Sequence, residues 1–198
     1  MMKVKVLFLT LLLPVLMNAQ TDEINISAAF TTSLSLRITG NANVEWVVAT
    51  IDDYKEGFWP AERKVPFEVS ASVNYSVEVS MNDLTDGAGN TLDIENVGFR
   101  IEGNGTAMHD RLGTSHVWTK GTGNLSGVYV ASTTPQTLLT PGPDGNAGGY
   151  DQNQFKLRIG LASENIRNQS GLPSLLDQNI TPGTYTSVVT LTAIPVYE

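Results

Sequence analysis

Two histidines are the first candidates for chemistry. His109 and His116 lie in the stretch MHDRLGTSHVW, with Asp110 and Ser115 beside them. An acid, a base and a hydroxyl are the ingredients of nucleophilic catalysis, but a triad is an arrangement across a fold, not a set of neighbours in a glycine-containing loop. Neighbouring residues of an extended strand also face opposite ways. The G-x-S-x-G elbow and the phosphate-binding G-x-x-x-x-G-K run are missing, and Gly123-Asn124-Leu125-Ser126-Gly127 has the wrong spacing for the elbow. The two histidines are therefore read as loop residues, no catalytic residue is assigned, and the chain is expected not to be an enzyme.

Oxygen-rich loops are the second candidates. Asp83, Asp86 and Asn90 in NDLTDGAGN, and Asp144, Asn146 and Asp151 in PDGNAGGYD, could offer oxygens to calcium. Calcium takes six to eight oxygens, and neither loop follows the EF-hand spacing. Asp and Asn also favour turns through hydrogen bonds to their own backbone. Turn chemistry is the preferred reading, with no metal and no cofactor assigned.

Aromatic rings supply a third chemistry, the stacking of a sugar. The candidates are Trp46, Tyr54, Phe58, Trp59 and Trp118. Trp46 alternates with Val44 and Val48, which places it in a core. Phe58-Trp59-Pro60 sits in the charged stretch IDDYKEGFWPAERK, so Tyr54, Phe58 and Trp59 are the candidate binding residues for a glycan. The competing reading is that Trp59 folds back over a sheet edge.

The elements that would position these residues are strands. Ile24, Ile26, Ala28 and Phe30, then Leu34, Leu36 and Ile38, alternate with mostly polar residues. Val65, Phe67, Val69, Ala71, Val73, Tyr75, Val77, Val79 and Met81 do the same against Ser, Glu and Asn. Side chains of a strand alternate between two faces, so such runs bury one face and wet the other. Both runs exceed an ordinary strand of about five or six residues. Bends are expected near 31–33 and 72–74, where the chain can pass from one sheet to another. Further strands are expected at Val44–Thr50, Leu92–Ile101, Val117–Thr119, Val128–Ala131, Phe155–Leu161 and Tyr185–Ile194. Asp86–Asn90 reads as a hairpin loop. Pro141–Gly149 reads as a flexible stretch, and Pro173–Gln178 as a short helix. Short strands separated by Gly, Pro and Asn turns predict an all-β, antiparallel β-sandwich of immunoglobulin-like or pilin-like kind.

The chain has 198 residues, 41% of them hydrophobic, and no cysteine. That length buries a core without staples, and the missing thiols exclude disulfide scaffolds, zinc-thiolate sites and cysteine nucleophiles. The net charge is −8, and Lys3 and Lys5 belong to the leader. No Lys/Arg cluster stands out along the chain after that, which argues against nucleic acid or an anionic membrane as partner. Met1–Gln20 has a short basic region, an apolar run from Val6 to Leu16 and a small residue, Ala19. This is the layout of a secretory signal cleaved after Ala19. The expected organisation is a signal peptide at 1–19, then a single β-sandwich domain at 20–198, secreted and extracytoplasmic, with no membrane span in the mature chain.

Two segments carry a family resemblance. VPFEVSASVNYSVEVSMNDLTDGAGNTLDIENVGFRIEG resembles secreted bacterial β-sandwich proteins: an alternating strand, the Asn74-Tyr75 step, a second strand and a Gly-rich hairpin. TPGTYTSVVTLTAIPVYE is similar to the closing strand of spore-coat-U-like and WxL-like surface domains, with Gly183 and Tyr185 at its start. With Tyr197 as penultimate residue, the ending also resembles pilus subunits. Those subunits borrow a strand from a neighbour. The resemblance implies that Ile24, Ile26, Ala28 and Phe30 form a donated strand; the preferred alternative is pairing within the domain. It further implies a structural or adhesive surface protein, its partners like subunits or other surface proteins. A carbohydrate-binding module is the second expectation.

Overall fold

The computed structural model describes residues 31–59, 63–103, 116–118 and 127–197. The eleven strands among the described residues are β1 (Leu34–Ile38), β2 (Lys64–Ala71), β3 (Tyr75–Met81), β4 (Leu84–Thr85), β5 (Thr91–Leu92), β6 (Val97–Gly103), β7 (His116–Trp118), β8 (Tyr129–Val130), β9 (Gln136–Pro141), β10 (Gln154–Leu161) and β11 (Val189–Pro195). Two short helices, α1 (Ile51–Glu56) and α2 (Glu164–Ser170), lie between them. The first sheet has the order β1-β2-β10-β6-β8 and the second β11-β3-β9-β7, with β4 and β5 forming a separate hairpin. All the strand pairs are antiparallel. The fold is an all-β sandwich, and residues 32–198 form one compact unit.

The second alternating run builds both layers. Val65, Phe67, Val69 and Ala71 are buried from the first sheet, and Tyr75, Val77, Val79 and Met81 from the second. The chain changes sheet at 72–74, as the excess length of the run requires. Phe67 and Phe155 are cross-strand partners whose rings stack 5.3 Å apart. Fully burying a side chain of this size contributes roughly 1.5–3 kcal/mol, and the interior closes with Phe99, Ile101, Leu139 and Leu157.

Several expected elements differ. Val44–Thr50 alternates in burial but joins no ladder; Val44, Trp46 and Val48 pack on the core as a strap. The Leu92–Ile101 candidate divides into β5, a 3-10 turn at Ile94–Asn96 and β6, because the Asp93 carboxylate accepts from the Glu95 N–H and starts the turn. The last strand begins at Val189, not Tyr185. Pro173–Gln178 forms hydrogen-bonded turns, and the helices stand elsewhere. α1 is set by a capping box: the Thr50 hydroxyl accepts from the Asp53 N–H (3.1 Å), and the Asp53 carboxylate accepts from the Thr50 N–H (2.8 Å). That hydrogen bond from Thr50, joined by one from Ala49, holds the Asp53 carboxyl below the usual carboxylate range. α1 ends on Gly57 at φ +64°, where a Cβ would stand 2.3 Å from the Ala162 backbone. Arg167 of α2 donates to the Lys55 carbonyl and ties the two helices together.

The stretch Pro141–Gly149, expected to be flexible, is pinned. Asn146 is fully buried; its side-chain carbonyl accepts from the Tyr75 N–H (2.9 Å) and its amide donates to the Tyr75 C=O (2.8 Å). One side chain thereby satisfies both backbone groups of the first residue of β3. Leader and strand-exchange residues (1–30) lie outside the described residues, and no described helix is long and apolar enough to cross a membrane.

Candidate functional site

The candidate site is a pair of strand edges. β1 ends the first sheet and β11 ends the second, and the two strands adjoin one another. Their hydrogen-bond phase follows from the flanking bonds. Val196 N–H donates to the Asn74 C=O (2.7 Å) and Asn82 N–H to the Val188 C=O (3.0 Å). In an antiparallel pair, hydrogen-bonded and non-bonded positions alternate. Thr190, Thr192 and Ile194 therefore face β3 with their backbone groups. Val189, Leu191 and Ala193 present theirs to the outer edge. Pro195 has no N–H and ends that row of donors.

The same argument holds for β1. Thr39 N–H donates to the Pro66 C=O (3.0 Å) and Ser72 N–H to the Ser33 C=O (2.8 Å), so Leu34, Leu36 and Ile38 carry the outward backbone groups. Neither edge has a ladder partner among the described residues. Of the residues with outward backbone, Leu34, Leu36, Val189, Leu191 and Ala193 lean on the core, while Ile38 is exposed. An added strand would thus meet donors and acceptors beside an apolar stripe.

The residues of the closing motif are placed around this edge. Gly183 is exposed beside Asp86, and a Cβ there would stand 3.0 Å from the Asp86 carboxylate. Tyr185 packs on the core, and its hydroxyl donates to the Thr181 C=O (2.8 Å). Tyr197 is 70% exposed just past the end of β11, and Val188 is 61% exposed just before its start. Ile24, Ile26, Ala28 and Phe30 lie outside the described residues, three residues before β1 at their nearer end.

The aromatic candidates are distributed. Tyr54 lines an open groove of about 350 Å³ with Ile51, Leu175, Leu176 and Ile180. Ile51 (64%) and Leu176 (46%) make its rim apolar and exposed. Phe58 and Trp59 are not in the lining. Phe58 pairs with Leu161 through both backbone groups and leans on the core. Trp59 reaches back to the sheet, where its ring stands 3.0 Å from the place a Cβ would occupy on Gly160. Gly160 lies opposite Gly98, and the bare spot they make receives Ile166 of α2 as well.

In the oxygen-rich loops, Asp86 and Asn146 spend their side-chain oxygens on the protein's own hydrogen bonds. The Asp86 carboxylate accepts from the Asn90 side-chain amide (2.7 Å) and from the Asn90 and Ala88 N–H groups (2.7 and 2.9 Å). The amide bond from Asn90 leads in holding its carboxyl below the usual range. Asn146 is committed to Tyr75, as described. Of the histidine stretch read as a loop, His109, Asp110 and Ser115 lie outside the described residues; His116 is not a loop residue but begins β7, which pairs with β9.

No protein-family model matches the sequence, and no curated protein matches it. The solved structures that resemble it include a family 123 glycoside hydrolase from Clostridium perfringens, described in connection with glycolipid glycan hydrolysis. The TM-score is 0.34 and the identity 12%; the likeness covers 85% of this chain and 25% of that one. The chain thus spans a quarter of that protein's length, and a likeness of this degree carries no argument about activity.

Proposed function

We propose that this chain is a non-catalytic structural or adhesive protein that works outside the cytoplasm and joins like subunits or other surface proteins by strand addition. The observation that carries the reading is the adjoining pair of edges on β1 and β11, which have no ladder partner among the described residues. A seven-residue edge strand with Thr190 and Thr192 on its outer face, and no Lys or Glu, offers another strand a template. The secretory layout of Met1–Gln20 supports the compartment.

The test is assembly. Sedimentation velocity of the secreted chain is expected to show oligomers that grow with concentration. Thr192→Lys places a charge at an exposed position of the edge strand while leaving the bonds to β3 in place, and is expected to keep the protein monomeric with unchanged circular dichroism. A wild-type chain that stays monomeric, or a variant that assembles like wild type, overturns the reading.

A further inference from the structure

Two pieces of chain far apart in sequence build an apolar groove with fixed walls. Thr50, Ile51 and Tyr54 line it from α1 and its cap, and Leu175, Leu176 and Asn179 from the other side. The Leu176 N–H donates to the Tyr54 C=O (3.2 Å) and joins the two walls. The Thr50–Asp53 capping box holds α1. Two hydrogen bonds between Gln178 and the buried Asn96 (2.9 and 2.8 Å) hold the turn that carries Leu176. The groove is therefore formed before anything enters it, which lowers the cost of binding. Six large apolar side chains are exposed among the described residues. Two of them, Ile51 and Leu176, line this groove, and a third, Val47 (67% exposed), stands two residues before the lining Ala49. Such a grouping of exposed apolar side chains marks a contact surface.

The charge around the groove is acidic and uncompensated. Residues 41–57 and 171–180 supply the lining, and they carry Glu45, Asp52, Asp53, Glu56 and Asp177 against Lys55. Arg167 reaches the Lys55 carbonyl from α2, so five carboxylates and two cations leave a net of −3. None of the five carboxylates is in an ion pair among the described residues. Asp53 accepts from backbone N–H groups at the start of α1, and Asp177 accepts from the neutral Ser174 hydroxyl (2.6 Å). Asp52 and Asp177 each directly follow a lining residue, Ile51 and Leu176. The Tyr54 hydroxyl and the Asn179 side-chain amide make no hydrogen bond among the described residues, so the groove also offers two spare polar groups.

We infer that this groove docks a cationic, amphipathic segment of another protein. Apolar side chains of that segment cover Ile51 and Leu176, its Lys or Arg side chains meet Asp52 and Asp177, and the Tyr54 hydroxyl and Asn179 amide bond its backbone. Charge decides among the occupants. A purely apolar ligand would take the neighbouring carboxylates out of water with nothing to pair them, which is costly. A second copy of this chain brings the same net of −3 to the contact and is repelled. A cationic segment compensates the carboxylates while its apolar side chains are buried. Size agrees with a segment: the groove is open and about 350 Å³, at the small end of the roughly 300–1,000 Å³ of sites that enclose a whole ligand. It suits a few side chains of a longer chain.

The probe is a short, labelled synthetic peptide of leucine and lysine, titrated with the purified chain at low and at raised salt and followed by fluorescence anisotropy. A leucine–glutamate peptide and a lysine-only peptide of equal length are run beside it. The expected result is salt-sensitive binding of the leucine–lysine peptide, with both companions at least about tenfold weaker. Leu176→Ser, at an exposed position, is expected to lower affinity about tenfold, equal to about 1.4 kcal/mol, with the circular dichroism unchanged. Asp52→Asn with Asp177→Asn removes two charges while keeping side-chain shape and an acceptor for Ser174; it is expected to lower affinity about fivefold. Asp144→Asn with Asp151→Asn removes two exposed charges from the loop before β10 and is expected to lower it less than about twofold. No binding of the leucine–lysine peptide, equal binding of either companion, wild-type affinity in Leu176→Ser, or equal losses in the two double variants overturns the assignment. A peptide that pairs with the strand edges instead keeps its affinity in Leu176→Ser, so the two proposals fail separately.

Discussion

Replacing Asn146 by alanine removes a single side chain far from any surface role and should cost more than most core truncations of its size. Its amide makes two hydrogen bonds, at 2.9 and 2.8 Å, to the N–H and C=O of Tyr75, a residue with no exposure. Without Asn146 the Tyr75 N–H and C=O each lose this buried hydrogen bond, at roughly 1–3 kcal/mol each. The expected loss is about 4 kcal/mol, against a total stability of ~5–15 kcal/mol for a domain. At about 2–4 °C per kcal/mol for a chain of this size, the melting temperature should fall by about 8–16 °C. Urea denaturation followed by circular dichroism measures the change, with an unaltered slope showing that the end states are the same. Asn146→Asp separates hydrogen bonding from packing. The introduced carboxylate still accepts from the Tyr75 N–H but faces the Tyr75 C=O with no donor, and its pKa in the folded state lies above its unfolded value. The Asn146→Asp variant is therefore destabilised most at neutral pH and recovers as pH falls and the carboxyl gains a proton to donate. A loss below about 1 kcal/mol in the alanine variant, or an aspartate variant indifferent to pH, would refute the reasoning. The consequence reaches the candidate site, because neighbouring Asn74 accepts from Val196 at the end of β11.

Two further predictions concern a turn and a charge. Gly57→Ala meets the Ala162 backbone at 2.3 Å in addition to its φ of +64°, whereas Gly171→Ala, at φ +77°, meets nothing within 4 Å; the first should cost roughly 3 kcal/mol or more and the second about 1–2 kcal/mol, and equal denaturation midpoints would contradict the packing argument. Burial alone would raise the Glu102 carboxyl, but hydrogen bonds from Arg158 and Lys64 outweigh it and hold it below its ordinary value. A carboxyl depressed on folding contributes stability above the ordinary carboxylate range and loses it as pH falls through its folded pKa. Stability measured from neutral pH downward should decline more steeply in the wild type than in Glu102→Gln, and parallel curves would show that the cluster contributes nothing.

The alternation of residues 64–81 was enough to place two strands, their buried faces and the crossing between them. Side-chain direction in a strand is a local, period-two property that needs no partner to be read. The same holds for the Asp86–Asn90 hairpin and for β10. Val44–Thr50 shows the limit: its alternation is real, but a ladder needs a neighbour at the right distance, and this segment packs as a strap. The Thr50–Asp53 cap was present in the sequence as a signal for α1, masked by the strand-like run before it. β9 (Gln136–Pro141) was missed because its buried pair, Leu138 and Leu139, is consecutive and breaks the alternation.

By itself, then, the sequence determined the all-β class, the faces of its long strands and most of its turns, because each depends on residues a few positions apart. The tertiary structure alone decided which strands are neighbours. Arg37, Lys64, Arg100 and Lys156 look scattered along the chain, and only the order β1-β2-β10-β6 makes them adjacent. The orders of the two sheets leave β1 and β11 as edges that adjoin, and the packed fold turns Asn146 from a turn residue into the clamp on Tyr75. Long-range pairing is chosen by the summed burial of whole faces, and no local spacing encodes that sum.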